Sequence, residues 1–131
     1  MSHRAIGTFD VKVAPLEPYN KDDKALGRYS LDKQFHGDID GTSKGEMLAF
    51  GTGAAGSSGG AVAIEKVTGR LAGKTGSIVL AHRGTMEAGK PTYSIIVVPG
   101  SGTDELAGIS GKMDLIVEGG KHSYVFEYTL P

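Results

Sequence analysis

The 131-residue chain contains no cysteine. That excludes a disulfide scaffold, a thiolate zinc site and a cysteine nucleophile, and it fits a reducing cytosol. No run of 18 apolar residues occurs, so no helix of the length needed to span a bilayer is expected. The first residues, Met1-Ser-His-Arg-Ala-Ile6, lack the apolar core of a secretion signal, which makes the cytoplasm the expected compartment. Neither sign of charge is in excess: 14 basic residues stand against 15 acidic ones, for a net charge of −1. Such a balance leaves no electrostatic footprint for nucleic acid or for an anionic membrane. Also missing are a GxSxG nucleophile elbow, basic residues interleaved with aromatics, and a convincing helical period over three turns.

What is abundant is glycine, with 21 residues and no strict three-residue period, so collagen is excluded. Glycines at strand ends, bulges and corners suit a closed, strongly curved sheet. The clearest signal lies at the end of the chain, where two alternating runs meet at Gly119-Gly120. Both central residues of such a turn can take positive φ, as a primed hairpin turn requires. The implied register sets Glu118 opposite Lys121, Val117 opposite His122, Leu115 opposite Tyr124, Met113 opposite Phe126 and Gly111 opposite Tyr128. One face then carries Met113, Leu115, Val117, His122, Tyr124, Phe126 and Tyr128, and the other is mostly wet.

The same alternation repeats upstream. Strands are expected over 6–13, 27–35, 39–50, 61–68, 76–85 and 92–98, with 51–60 a flexible loop and the register of 39–50 loosened by Gly41 and Gly45. Residues 103–106 suit one short helical turn with Thr103 as its cap. Eight strands and short links in one domain, residues 1–131, predict an all-β fold. A closed antiparallel eight-stranded β-barrel is the favoured form, because closure removes exposed edges, and a β-sandwich is the alternative.

Two glycine-rich stretches imitate nucleotide-binding loops. Gly51-Thr-Gly53-Ala-Ala-Gly56 matches GxGxxG but is followed by Ser57-Ser-Gly-Gly and a strand, where a pyrophosphate site needs a helix N-terminus. Gly69-Arg-Leu-Ala-Gly73-Lys74-Thr75 is one residue short of a phosphate loop and reads as a hairpin turn. No cofactor is therefore expected. The four histidines stand singly, without HxH or HxxxH spacing, and no metal is expected either. Glu46, Asp38 and Asp40 flank the third strand and default to solvent.

Two groups of residues remain as candidate sites. If the fourth and fifth strands pair about Ala72-Gly73, Ala63 faces His82 and Glu65 faces Leu80. Glu65 and His82 then share a face, diagonally within reach. In the lumen they would be a catalytic acid/base pair; on the outer wall, or as a satisfied polar contact, they would be structural. The second group is His122, Tyr124, Tyr128, Met113 and Leu115. An imidazole and phenols on an apolar wall suit a small-ligand pocket, and equally suit an aromatic core whose polar tips reach backbone or the barrel mouth.

Long segments resemble a bacterial domain family of unknown function: Phe35-His-Gly-Asp-Ile-Asp-Gly-Thr-Ser-Lys-Gly-Glu-Met47, Gly84-Thr-Met86, the run from Val98 to Met113, and His122-Ser-Tyr-Val-Phe-Glu-Tyr-Thr-Leu130. The resemblance implies an eight-stranded barrel of the allene oxide cyclase-like type. That wider fold includes allene oxide cyclases and dirigent proteins, which guide reactions of small apolar substrates and tend to be oligomeric. Three functions follow as expectations. The first is a barrel binding a small apolar or aromatic molecule. The second is a cofactor-independent isomerase or cyclase using Glu65 and His82. The third is a filled barrel serving as an assembly or partner-binding module, with a homo-oligomer expected.

Overall fold

Alternating apolar and polar side chains pay off only when one face of every strand meets the same interior, and in this protein the sheet closes on itself to provide one. The computed structural model describes residues 2–51 and 58–131. Its strands are β1 (Ser2–Leu16), β2 (Leu26–Gly37), β3 (Ile39–Gly51), β4 (Gly59–Leu71), β5 (Lys74–Glu87), β6 (Lys90–Val97), β7 (Ser110–Glu118) and β8 (Lys121–Thr129). They follow one another around a closed antiparallel barrel, and β8 returns to β1 from Ser2↔Thr129 to Thr8↔Ser123. The sandwich alternative therefore falls.

The β7–β8 hairpin has the register that its Gly-Gly turn implies, from Gly111↔Tyr128 to Glu118↔Lys121. Gly119 and Gly120 take φ of 57° and 79°, in the left-handed region that a primed turn requires. The β4–β5 hairpin likewise pairs Ala63 with His82 and Glu65 with Leu80. Two readings needed correction. β1 runs well beyond 6–13 at both ends, because β8 extends its ladder at one end and β2 at the other. Thr103 does not cap the 3-10 turn Asp104–Leu106; its Oγ1 instead accepts from the Ser77 amide at 3.0 Å and lies 2.8 Å from the Ser77 hydroxyl. The GxGxxG match falls largely on 52–57, outside the described residues; Gly51 and Gly59 belong to strands.

The two ends of the barrel differ. At one end the segment between β6 and β7 folds across the opening and inserts Leu106 and Ile109, both buried. Above this plug lies a continuous core that includes Phe9, Phe35, Leu80, Met113, Tyr124 and Phe126. At the other end the inward positions carry apolar side chains that remain exposed: Val13 at 50 %, Met86 at 41 %, Tyr93 at 45 % and Val117 at 63 %. The barrel is thus plugged at one end and open at the other.

Candidate functional site

The site is best built from the rungs that cross the barrel. One rung joins Leu31, Gly45, Glu65, Leu80 and Val97, the next Tyr29, Met47, Ala63, His82 and Ile95, and the third Gly27, Ala49, Ala61, Gly84 and Tyr93. Period-two geometry points these side chains into the lumen. Glu65 is thereby carried into the barrel, where it is 0 % exposed. Gly45, directly across from it, makes the position possible: a Cβ there would come within 2.1 Å of the Ile64 carbonyl and 2.7 Å of the Glu65 Cβ.

A carboxylate removed from water needs partners on both oxygens. Oε1 accepts from the Ser43 hydroxyl at 2.9 Å, and Oε2 from the Lys33 ammonium at 2.8 Å. Oε2 also meets the Nε2 of His82 at 2.5 Å. That contact is an ion-pair separation without hydrogen-bond alignment, since the nitrogen has no hydrogen-bond partner among the described residues. Lys33 is itself buried, with its ammonium 5.0 Å from the centre of the Phe9 ring and 5.9 Å from that of Phe35. Burial pushes the Glu65 carboxyl up, but the contacts with His82 and Lys33 outweigh it and hold the group down to about 2. Glu65 is therefore a permanent anion at neutral pH and a poor proton shuttle. His82, with 17 % of its side chain exposed, is more exposed than Lys33 or Glu65.

Sequence reasoning placed Glu65 and His82 on one face, and the structure brings them into contact on the lumen side. It missed Lys33 and Ser43. The signal for Lys33 was present, since it shares the parity of Leu31 and Phe35. Ser43 depended on the register of β3, which is set by the pairing Phe35↔Gly41.

All five residues of the β7–β8 wall face inward but sit at different depths. Met113, Tyr124 and Tyr128 are buried in the plugged half, while Leu115 and His122 are partly buried nearer the mouth. The Tyr124 hydroxyl accepts from the Ile39 amide at 2.8 Å and donates to the His36 carbonyl at 2.9 Å, so it ties the β2–β3 corner to β8. Burial raises its pKa. Tyr128 stacks on Phe126 at 5.2 Å, and His122 lies 5.2 Å from Phe9. Glu46, Asp38 and Asp40 are exposed; Glu46 pairs with Arg28, and Asp38 accepts from the Ile6 amide at 2.8 Å. Among the described residues no group of three or more ligating side chains could hold a metal ion, and no helix is long and apolar enough to cross a membrane.

Strands β2–β5 also line an apolar concavity of about 560 Å³, to which Leu26, Leu48, Phe50 and Val62 contribute together with the small residues Gly27, Ala49, Ala61 and Gly84 of the third rung.

Comparison with known proteins agrees with the fold and is silent on chemistry. Residues 5–128 match the model of a family described as protein of unknown function, DUF3224. A crystal structure at 1.84 Å resolution of a DUF3224 protein of unknown function from Shewanella oneidensis MR-1 is 41% identical to this chain, with a TM-score of 0.93, covering 100% of this chain and 98% of that one. No protein of curated function matches.

Proposed function

This chain belongs to the DUF3224 family, and we propose that it is a small-molecule-binding β-barrel whose site is the open half of the lumen. One observation carries the reading: a partly exposed imidazole, His82, is anchored from below by a buried, charge-paired carboxylate and faces a rung of small residues, Gly27, Ala49, Ala61 and Gly84. Maintaining a buried ionic cluster is costly unless it specifies something. Here it fixes the orientation of one polar group at the base of an apolar mouth, which is the usual composition of a ligand site. Leu115 and His122 complete the wall on the opposite side. Tyr124, Met113 and Tyr128 support it from the plugged half. With a reactive ligand the same arrangement extends to an isomerase or cyclase, in which His82 moves the proton and Glu65 positions it.

The test is a titration of methyl-labelled protein with toluene, followed by NMR. Methyl groups of Val13, Leu115 and Val117 are expected to shift, and those of Leu106 and Ile109 to stay. Shifts absent from the first group remove the proposal.

A second reading concerns the outer wall. Leu48 and Phe50 on β3, Val62 and Ile64 on β4, and Ile96 on β6 are exposed. Together they present large apolar side chains to solvent on one side of the barrel, and a contiguous exposed apolar patch marks an interaction surface. The occupant that fits an apolar, weakly charged face is a second copy of this chain. Native mass spectrometry should then find a homo-oligomer that Val62→Asp dissociates; a monomeric wild-type protein excludes it.

A further inference from the structure

We propose a second binding site, on the outside of the barrel, for a carboxylate with an apolar tail, of the fatty-acid type. It is independent of the lumenal reading.

The site follows from two rows of side chains that cross five strands. Arg28, Leu48, Val62, Arg83 and Ser94 are successive register partners from β2 to β6, and Leu26, Phe50, Gly60, Thr85 and Thr92 form the row beside them. Both rows have the parity opposite to Glu65 and His82, so they project outward. Each is apolar over β3 and β4 and polar over β5 and β6. Two adjoining concavities follow the same division. The apolar one, of about 560 Å³, has Leu48, Phe50 and Val62 in its lining; the polar one, of about 280 Å³, has Thr92 and Ser94; Arg83, Gly84 and Thr85 line both. Gly60 keeps the floor of the apolar part open, since a Cβ there would meet only the Gly84 carbonyl at 3.5 Å and the Thr85 methyl at 3.8 Å. From Leu48 to Arg83 is two strand spacings, about 10 Å, the reach of a medium-length alkyl tail.

Charge names the head of the ligand. The side chains of Arg83, Thr85, Thr92 and Ser94 are exposed, and among the described residues none of the four has a hydrogen-bond or ion-pair partner. No acidic residue lines either concavity. The other guanidinium of the apolar part, Arg28, is engaged by Glu46, with Nε 2.8 Å from Oε1. The outward acids of the flanking strands, Glu87 on β5 opposite Lys90 and Asp114 on β7, make no ion pair with Arg83. Arg83 is therefore the unengaged cation at the junction of an apolar groove and a set of hydroxyls. Its planar fork matches the two oxygens of a carboxylate, and the hydroxyls beside it can donate to the same oxygens. A cationic head would be repelled there, and a purely apolar molecule would leave the polar half unused.

Leu48, Phe50 and Val62 also belong to the apolar face read above as a contact between copies, so the two occupants compete for it. The test titrates octanoate, 1-octanol and octyltrimethylammonium into the isotope-labelled full chain, followed by NMR. Octanoate is expected to shift the methyl groups of Leu48 and Val62 and the guanidinium of Arg83, and to bind at least tenfold more tightly than either other probe. Arg83→Gln should bring octanoate down to the level of 1-octanol and leave 1-octanol unchanged. Gly60→Leu, which fills the floor without a close contact, should abolish binding of both. Equal binding of octanoate and 1-octanol, or wild-type octanoate affinity in Arg83→Gln, overturns the carboxylate head, and undiminished binding by Gly60→Leu overturns the groove. Octanoate shifts confined to Val13, Leu115 and Val117 overturn this site while supporting the lumenal one. No shift at Leu48 or Val62 overturns it as well, and native mass spectrometry then tells whether a second copy covers the face.

Discussion

The plugged half and the open half of the barrel are built from the same strands by the same alternation, yet they use it for different ends. In the plugged half, inward positions are filled by large apolar side chains and the polar atoms among them are paired with backbone. In the open half several inward positions are very small, as at Gly27, Ala49, Ala61 and Gly84, and others are large and exposed, as at Val13, Met86, Tyr93 and Val117. The boundary is the rung of Glu65, where the lumen changes from apolar packing to an ionic cluster. The difference teaches that closure of the sheet alone does not fill a barrel: filling requires a plug, here Leu106 and Ile109, and the end without one keeps its apolar lining in contact with water.

The sharpest way to break the comparison is at the boundary. Lys33→Met leaves Glu65 and its charge without the ammonium, and removing one partner of a buried pair costs about 3–5 kcal/mol. Urea unfolding should report that loss. In Lys33→Met/Glu65→Gln no unpaired charge remains, so much of the stability should return. A single variant within about 1 kcal/mol of wild type, the ordinary range of a mild substitution, would mean that the cluster is wetter than its burial indicates.

The same cluster sets a pH dependence. Folding lowers the Glu65 pKa from 4.5 to about 2, so the folded state favours the ionised form. Its contribution is fully present above about pH 4.5 and is lost as pH falls toward 2; at 1.36 kcal/mol per unit it amounts to about 3 kcal/mol. Between pH 5 and 2.5 wild type should therefore lose stability more steeply than Lys33→Met/Glu65→Gln. Parallel curves for the two proteins would show that Glu65 is not held ionised by folding.

How much of this was legible beforehand follows the strength of the local signals. The β7–β8 and β4–β5 registers were readable because each rests on a two-residue turn, and once a turn is fixed a period of two fixes every facing pair. That is why Glu65 and His82 were placed on a common face. Depth along the barrel was not readable: His122 and Tyr128 share a parity with Tyr124 but lie at different heights, and height depends on strand stagger around the whole ring. Lys33 was passed over because a lysine on an apolar face reads as an exception until its partner, 32 residues away in sequence, is known to be opposite. The seam between β6 and β7 was also invisible. The two strands share a single register partner, Ile96↔Lys112, and above it a tyrosine side chain replaces the ladder.

That seam gives the finest comparison, between two phenols. Tyr124 in the plugged half and Tyr93 in the open half each accept from one backbone amide and donate to one carbonyl. Their surroundings differ: Tyr124 is buried, and Tyr93 is exposed to water that can replace a lost hydroxyl. Tyr124→Phe strands buried polar groups and is expected to cost about 1–3 kcal/mol, whereas Tyr93→Phe should cost only the net value of an exposed hydrogen bond, about 0.5–1.5 kcal/mol. Hydrogen exchange sharpens the contrast. The Tyr93 variant should exchange faster at the Leu115 amide with the plugged half unchanged, while the Tyr124 variant should exchange faster at Ile39. Equal losses in both variants would mean that the mouth is as dry as the core, and the division of the barrel into two halves would fail.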